Sequence, residues 1–211
     1  MNSLKLGLSL LGGTGIVSTA VAGAYHYGYF SSKTNTIKDR LINEKYQLLK
    51  EGDSSHWTES LKKYKEKHPS ESSYDEPKIK KLCQDLVGRV NFSKEDYNKA
   101  KKYCVVPQTI SERLKALEFT LLDTNGSNST TKWKSLSDEY KNTGENDKKL
   151  SDLNKSEVGN GDSNGDKLKS KCKDVSSKTH WEDNYDSLLE NTKRWCTEEG
   201  FKQLPQSTSQ Q

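Results

Sequence analysis

The same residue pattern occurs twice in this chain. Residues 37–49 read IKDRLINEKYQLL and residues 110–122 read ISERLKALEFTLL, which share isoleucine, arginine, leucine, an aromatic residue and a Leu-Leu pair in one order. Later matches follow in the same order: Trp57, Tyr64, Cys83 and Cys104, and then Trp133, Tyr140, Cys172 and Cys196. Several landmarks repeated in one order predict two tandem repeats of one folding unit. The four aromatic residues of that series are the predicted core aromatics of the repeats.

Apolar residues within each unit are spaced as in α-helices. Ile79, Leu82, Cys83 and Leu86 form a single stripe along one helix face. Each unit is predicted to contain four short helices, of which the first covers 37–50 or 110–123. The third helix carries the first cysteine, and the fourth ends at the second. No alternating strand pattern occurs, so the expected fold class is all-α.

Helix-start signals also recur. Thr36 and Thr109 each precede an apolar helix pattern and are followed three residues later by Asp39 and Glu112. Ser93, with Asp96 three residues later, and Thr179, with Glu182 three residues later, predict similar starts for the last helix of each unit.

The expected organisation is an N-terminal segment and two repeats with a polar tail. The boundaries are 1–31 for the membrane anchor or signal segment, 32–106 and 107–200 for the repeats, and 201–211 for the tail. Within the second repeat, residues 142–167 consist almost entirely of Gly, Asn, Asp, Ser, Glu and Lys. Such a composition buries little, so a disordered, exposed loop is expected there. This loop is the predicted place of contact with a partner.

Composition excludes a large enzyme core. Hydrophobic residues make up only 30% of the 211 residues, and the mean hydropathy is −1.02. Lysine and arginine number 34 against 30 aspartate and glutamate, which leaves a net charge of +4. The two signs are interleaved along the chain, so no basic stripe for nucleic acid is expected.

The N-terminal segment 6–30 contains no Asp, Glu, Lys or Arg. A membrane-spanning helix needs about 20 such residues, and Tyr25, Tyr27 and Tyr29 would lie at the lipid interface. A cleaved signal peptide, with its site near Ala20–Ala24, fits the same segment, and so does a buried soluble helix. Anchor and signal both imply export. The expected location is the cell membrane with the main domain outside, or secretion after cleavage.

The four cysteines occupy equivalent places in the two units. This placement favours one disulfide per unit, Cys83 with Cys104 and Cys172 with Cys196, which would imply an oxidising exterior. Free core thiols and crossed pairing are the alternatives.

The sequence offers no convincing catalytic or cofactor site. C-x-x-C spacing is absent and the histidines are scattered, which does not favour zinc. Asp162-Ser-Asn-Gly-Asp166 begins like a calcium loop, but Lys167 and Lys173 stand where the turn glycine and the bidentate glutamate belong. His56-Trp57 and His180-Trp181 are interpreted as packing residues. No enzymatic activity, cofactor or metal is therefore expected.

The apolar start LGGTGIVSTAVAGAY and the Trp, Tyr, Cys, aromatic-Cys layout resemble the lineage-specific paralogous proteins of the haemotropic mycoplasmas. These bacteria live on red blood cells. The resemblance covers most of the chain and implies an exported or membrane protein in a large paralogous set of unknown function, with a role in host contact or surface variation.

The expected function is that of a non-enzymatic, surface-exposed, membrane-anchored protein in host interaction or antigenic variation. Its partners would be membrane lipid through residues 6–30 and host surface proteins. The alternative is a membrane-associated structural protein with a cytoplasmic domain and free thiols.

Overall fold

The structure is a computed structural model that describes residues 36–159 and 164–205. These residues contain no β-strand, only three isolated antiparallel bridges, so the all-α fold class is confirmed for them. The helices are α1 (Ile37–Asn43), α2 (Ser54–Lys67), α3 (Glu76–Val87), α4 (Lys94–Tyr103), α5 (Ile110–Ala116), α6 (Thr130–Thr143), α7 (Lys155–Gly159), α8 (Asp166–Ser176), α9 (Tyr185–Cys196) and α10 (Glu198–Lys202). Residues 36–106 are called the N-terminal half and residues 107–205 the C-terminal half.

Helices α1 and α5 begin at the predicted caps. The Thr36 hydroxyl accepts from the Asp39 amide at 3.1 Å, and the Thr109 hydroxyl accepts from the Glu112 amide at 3.2 Å. Each acid reaches back to the backbone amide of its threonine, which completes a capping box at both sites. A shorter aspartate can therefore close the box as well as the glutamate can, because both satisfy an amide that has no partner within the helix.

Helices α1 and α5 end earlier than the expected 37–50 and 110–123. Lys45 and Glu118 adopt left-handed backbone conformations, with φ of 62° and 66°. The amide after each donates back to the carbonyl of Leu41 or Leu114 at 2.9 Å. This reversal is a Schellman motif, which satisfies the last carbonyls and ends the helix. Neither position carries the glycine that usually marks such an end in a sequence.

The chain after each reversal runs extended beside the end of a later helix. Leu49 donates its amide to Cys104 O at 3.0 Å, and Leu122 donates to Cys196 O at 2.9 Å. The leucine pairs at 48–49 and 121–122 therefore lie outside the helices, with Leu48 and Leu121 in antiparallel bridges.

Buried residues form two apolar clusters, one centred in each half. Ile37, Leu41 and Ile79 are fully buried in the first, and Ile110, Leu114 and Leu136 in the second. Trp181 is an exception, because it belongs to the C-terminal half but packs in the cluster of the N-terminal half. The two halves therefore share a core contact.

The structure corrects the expectation of a disordered loop over 142–167. Helix α6 continues to Thr143, a 3-10 turn covers Asn146–Lys148, α7 covers Lys155–Gly159, and α8 begins at Asp166. Leu150, Leu153 and Val158 are buried in the core of the C-terminal half. These few apolar side chains hold the polar segment against the core. The Tyr140 hydroxyl holds it as well, because it donates to Leu153 O at 2.6 Å. Residues 160–163 lie outside the described residues.

Two further expectations are wrong at the end of the chain. Thr179 does not cap a helix; it forms an antiparallel bridge with Thr109, and α9 begins only at Tyr185. The tail does not begin at residue 201 either, because Phe201 and Leu204 pack partly buried against the core of the C-terminal half. Residues 206–211 lie outside the described residues.

Residues 6–30, on which the anchor prediction depends, also lie outside the described residues. Within 36–159 and 164–205, no helix has both the length and the apolar character needed to cross a membrane.

Candidate functional site

The four cysteines form two disulfides, each within one half. Cys83 in α3 is joined to Cys104 directly after α4, with the Cα atoms 5.4 Å apart. Cys172 in α8 is joined to Cys196 at the end of α9, with the Cα atoms 5.6 Å apart. Each bond ties together the last two long helices of its half. No free cysteine is left, in agreement with the predicted pairing.

The predicted core aromatics are buried and have matching contacts. The Trp57 indole donates to Lys50 O at 2.8 Å, and the Trp133 indole donates to Asp123 O at 2.9 Å. Tyr64 meets the Tyr103 ring edge-on at 5.0 Å, as Tyr140 meets the Trp195 ring at 4.9 Å. These side chains are occupied by packing and by internal hydrogen bonds, so they support the scaffold rather than a site.

The strongest candidate site is the junction between the halves. There the segment between α8 and α9 packs across α2 and α4. The Trp181 ring lies 5.9 Å from the Tyr103 ring, and its indole donates to Glu59 Oε1 at 3.2 Å. Trp181 is a packing residue as predicted, but its local sequence does not indicate that it packs against the other half.

Arg113 of α5 is the second junction residue. It is 3% exposed, donates from Nη1 to Lys45 O at 3.0 Å, and donates from Nη2 to Glu44 O. Its guanidinium carbon lies 3.6 Å from the centre of the Tyr46 ring. Burial is the main reason that the pKa of Tyr46 rises to about 12. Arg113 thus fixes the turn after α1 to the C-terminal half.

His180 is buried at the junction with both ring nitrogens in use. Nε2 donates to Lys102 O at 3.2 Å, and Nδ1 accepts from the Gln108 amide at 3.3 Å, which defines a neutral imidazole. Burial lowers the pKa of His180 to about 4. A histidine whose two nitrogens serve the backbone has no free nitrogen to act as a general base.

Ion pairs line the outer edge of the junction. Asp183 accepts from Lys67 at 2.6 Å and from Lys102 at 3.0 Å, and these two lysines lower the pKa of Asp183 to about 2. Asp186 accepts from Lys101 at 2.7 Å. Because these aspartates are largely exposed, solvent screens the pairs and each contributes little to stability. These ion pairs orient the two halves relative to each other more than they stabilise the contact between them.

Two shallow clefts of about 210 and 230 Å³ flank the Lys102–Asp183 pair. Their charged walls consist largely of the lysines and aspartates that already neutralise one another across the junction. Each cleft is smaller than a typical small-molecule site of about 300–1,000 Å³. Neither brings a nucleophile and a free base together.

The junction also makes folding stability depend on pH. The pKa of His180 is about 4 in the folded chain, against about 6.5 in an unfolded chain. The contribution of the neutral imidazole is present above pH 6.5 and is lost as pH falls from there toward 4. The full loss is about 3 kcal/mol.

We expect urea unfolding at a series of pH values to show this loss in the wild type but not in His180→Gln. The matched control His56→Gln should keep the wild-type dependence. An unchanged pH dependence in His180→Gln would contradict the buried neutral state.

Sequence reasoning missed the junction for an identifiable reason. Arg113 has the same sequence context as Arg40, and no local pattern distinguishes a buried arginine from an exposed one. One feature of the sequence could have indicated the junction. His180-Trp181 places a large aromatic residue in the polar segment between two helices.

No group of three or more His, Cys, Asp or Glu side chains is placed to hold a metal ion in the described ranges. Asp162, the first residue of the segment that begins like a calcium loop, lies outside the described residues.

No protein-family model, curated protein or solved structure matches this chain. The resemblance to the haemotropic mycoplasma proteins therefore remains a prediction.

Proposed function

We propose that this chain is a non-enzymatic exported protein that displays a disulfide-linked helical domain on the cell surface. The observation that carries the proposal is the pair of disulfides, Cys83–Cys104 and Cys172–Cys196. Disulfides persist in oxidising compartments and stabilise small secreted domains whose apolar cores are thin. The proposed anchor is residues 6–30, and the proposed role is contact with host surface proteins or surface variation.

We further propose that the two halves are tandem repeats of one unit. Matched capping boxes, Schellman motifs, indole hydrogen bonds and disulfide positions support this relation. Duplication supplies a rigid scaffold and a second copy of each exposed surface. The copy is free to change wherever it does not serve packing, which suits a protein that varies its surface.

A non-enzymatic role is supported by the state of the titratable groups at the junction. His180 is held neutral by two backbone partners, and the lysines and aspartates beside it are paired with one another. Such groups serve cohesion between the halves. They would have to break their own contacts before acting on a substrate.

Protease treatment of intact cells tests the location. We expect residues 36–205 to be digested while a cytoplasmic marker protein survives. Survival of this region until the cells are lysed would contradict the surface location.

Trapping of thiols with an alkylating reagent before lysis tests the disulfides separately. We expect no alkylated cysteine unless a reductant is added first. Four alkylated cysteines without reductant would instead support the membrane-associated structural protein with a cytoplasmic domain. Mass spectrometry of the N-terminus distinguishes a retained anchor from a cleaved signal.

A further inference from the structure

The N-terminal half holds the C-terminal half through a basic surface at the end of α4. Lys101 and Lys102 lie in the last turn of α4. They receive Asp186 at 2.7 Å and Asp183 at 3.0 Å from the C-terminal half. The occupant of this surface is therefore a segment with two carboxylates three positions apart, Asp183 just before α9 and Asp186 in its first turn.

The C-terminal half has the same surface in the same backbone setting. Helix α9 ends in Lys193, Arg194, Trp195 and Cys196, as the segment at the end of α4 reads Lys101, Lys102, Tyr103 and Cys104. The equivalence rests on the backbone, because Glu198 donates to Thr120 O as Val106 donates to Gln47 O, both at 2.8 Å. Phe119 follows the second reversal as Tyr46 follows the first.

We call Lys193, Arg194 and Phe119 the second surface, and the surface at the end of α4 the first surface. The charged side chains of the second surface bind no acid of the other half among the described residues. Arg194 is exposed and forms no ion pair with an acid of the described residues. Within the described ranges, Lys193 pairs only inside its own helix, with Glu190 at 2.7 Å, and it lies 5.4 Å from the centre of the Phe119 ring. By contrast, Lys101 and Lys102 both reach acids of the other half.

The aromatic part of the second surface is closed. Trp195 is 1% exposed, and its indole donates to Lys148 O at 2.7 Å. The segment after α6 therefore covers the ring that corresponds to Tyr103. A partner could contact the charged side chains and the edge of Phe119. It could not pack an aromatic residue on Trp195 as Trp181 packs on Tyr103, because Trp195 is covered.

We propose that Lys193, Arg194 and Phe119 form a binding surface for an acidic segment of a partner protein, with carboxylates spaced like those of Asp183 and Asp186. Charge complementarity and the occupied surface of the N-terminal half support this choice. A second copy of this chain is the weaker fit, because its own 180–186 segment is held by Trp181 and Tyr185, which are 7% and 5% exposed.

The test uses the full-length protein in a non-ionic detergent and a labelled peptide that copies residues 179–188. Fluorescence anisotropy at low salt should show saturable binding that weakens as salt is added, since the contacts are exposed ion pairs. The same peptide with asparagine in place of both aspartates should bind at least about fivefold more weakly.

Three charge reversals locate the binding. Arg194→Glu should weaken the peptide by about fivefold or more, whereas Lys62→Glu, an exposed reversal on α2, should not. Lys102→Glu should not weaken it either, unless the peptide displaces the native segment from the N-terminal half. Thermal unfolding verifies that each variant is folded.

Equal affinity of Arg194→Glu and wild type would overturn the proposal, as would equal losses in Arg194→Glu and Lys62→Glu. Loss confined to Lys102→Glu would also overturn it, because the peptide would then occupy the first surface. The measurement uses purified protein, so a negative result leaves the proposed export untouched, and a failure of export leaves the peptide result valid.

Discussion

Removing the Cys172–Cys196 disulfide should lower the free energy of unfolding by about 3 kcal/mol. The bond joins residues separated by 24 positions, and without it the unfolded chain regains the entropy of that open loop. Both sulfurs are buried, so the double variant Cys172→Ala with Cys196→Ala also loses packing. Urea unfolding followed by tryptophan fluorescence measures the change.

The matched variant is Cys83→Ala with Cys104→Ala, which opens a loop of 21 positions. We expect a loss of similar size, because the loop entropy depends only weakly on length.

A third variant, Cys83→Ala with Cys172→Ala, tests the pairing itself. It should lose both bonds and leave two reactive thiols at Cys104 and Cys196. Formation of a Cys104–Cys196 bond at full stability would be evidence for crossed pairing, and would contradict the structure.

Replacing Arg113 by alanine should lower the free energy of unfolding by about 2–4 kcal/mol. The change removes hydrogen bonds to the carbonyls of Glu44 and Lys45, and the ring contact with Tyr46. It also leaves the two carbonyls without their arginine donor at the junction. Arg113→Lys should recover only part of the loss, since an ammonium cannot reproduce the planar fork.

Arg40 is the matched control, because it occupies the corresponding position in α1. Its side chain is 49% exposed and pairs with Glu44 at 3.0 Å. The guanidinium also lies 4.0 Å from the centre of the Tyr97 ring. Arg40→Ala should therefore lose about 1 kcal/mol or less. Equal losses at the two arginines would mean that Arg113 does not hold the junction.

Local rules were sufficient for most helix starts. Thr36, Ser93 and Thr109 each accept from an amide of the first turn, as predicted from their sequence context. Thr179 failed as a cap because its backbone pairs with Thr109. Its sequence resembles a cap, but a residue already committed to a bridge with another segment is not available to begin a helix.

The ends of α1 and α5 could not be predicted by the same rules. The left-handed residues are Lys45 and Glu118 rather than glycine, so the helix pattern seemed to continue through the leucine pairs. The reversals at these residues direct 47–49 and 120–122 into pairing with residues at or just after the ends of α4 and α9. That pairing joins segments far apart in the sequence.

The prediction made from composition was wrong for residues 142–167. A segment with so few apolar residues was expected to stay exposed, yet Leu150 and Val158 are fully buried. Asn191 donates to the carbonyls of Asp147 and Lys149, at 2.9 Å each. The average polarity of a segment does not indicate whether its few apolar side chains can be buried, or whether an amide such as that of Asn191 can bind its backbone carbonyls.

The sequence by itself determined the all-α class and the matched order of landmarks, because periodicity and caps act within a few turns of chain. It favoured the cysteine pairing that the structure shows, because the cysteines occupy equivalent places in the two halves. Only the tertiary structure decided that Arg113 is buried while Arg40 is exposed, and that Trp181 packs in the other half. The matched capping boxes and reversals of α1 and α5 arise from similar local sequences. Which copy of a surface becomes covered depends on the contact between the halves, and this contact has no counterpart in either half alone.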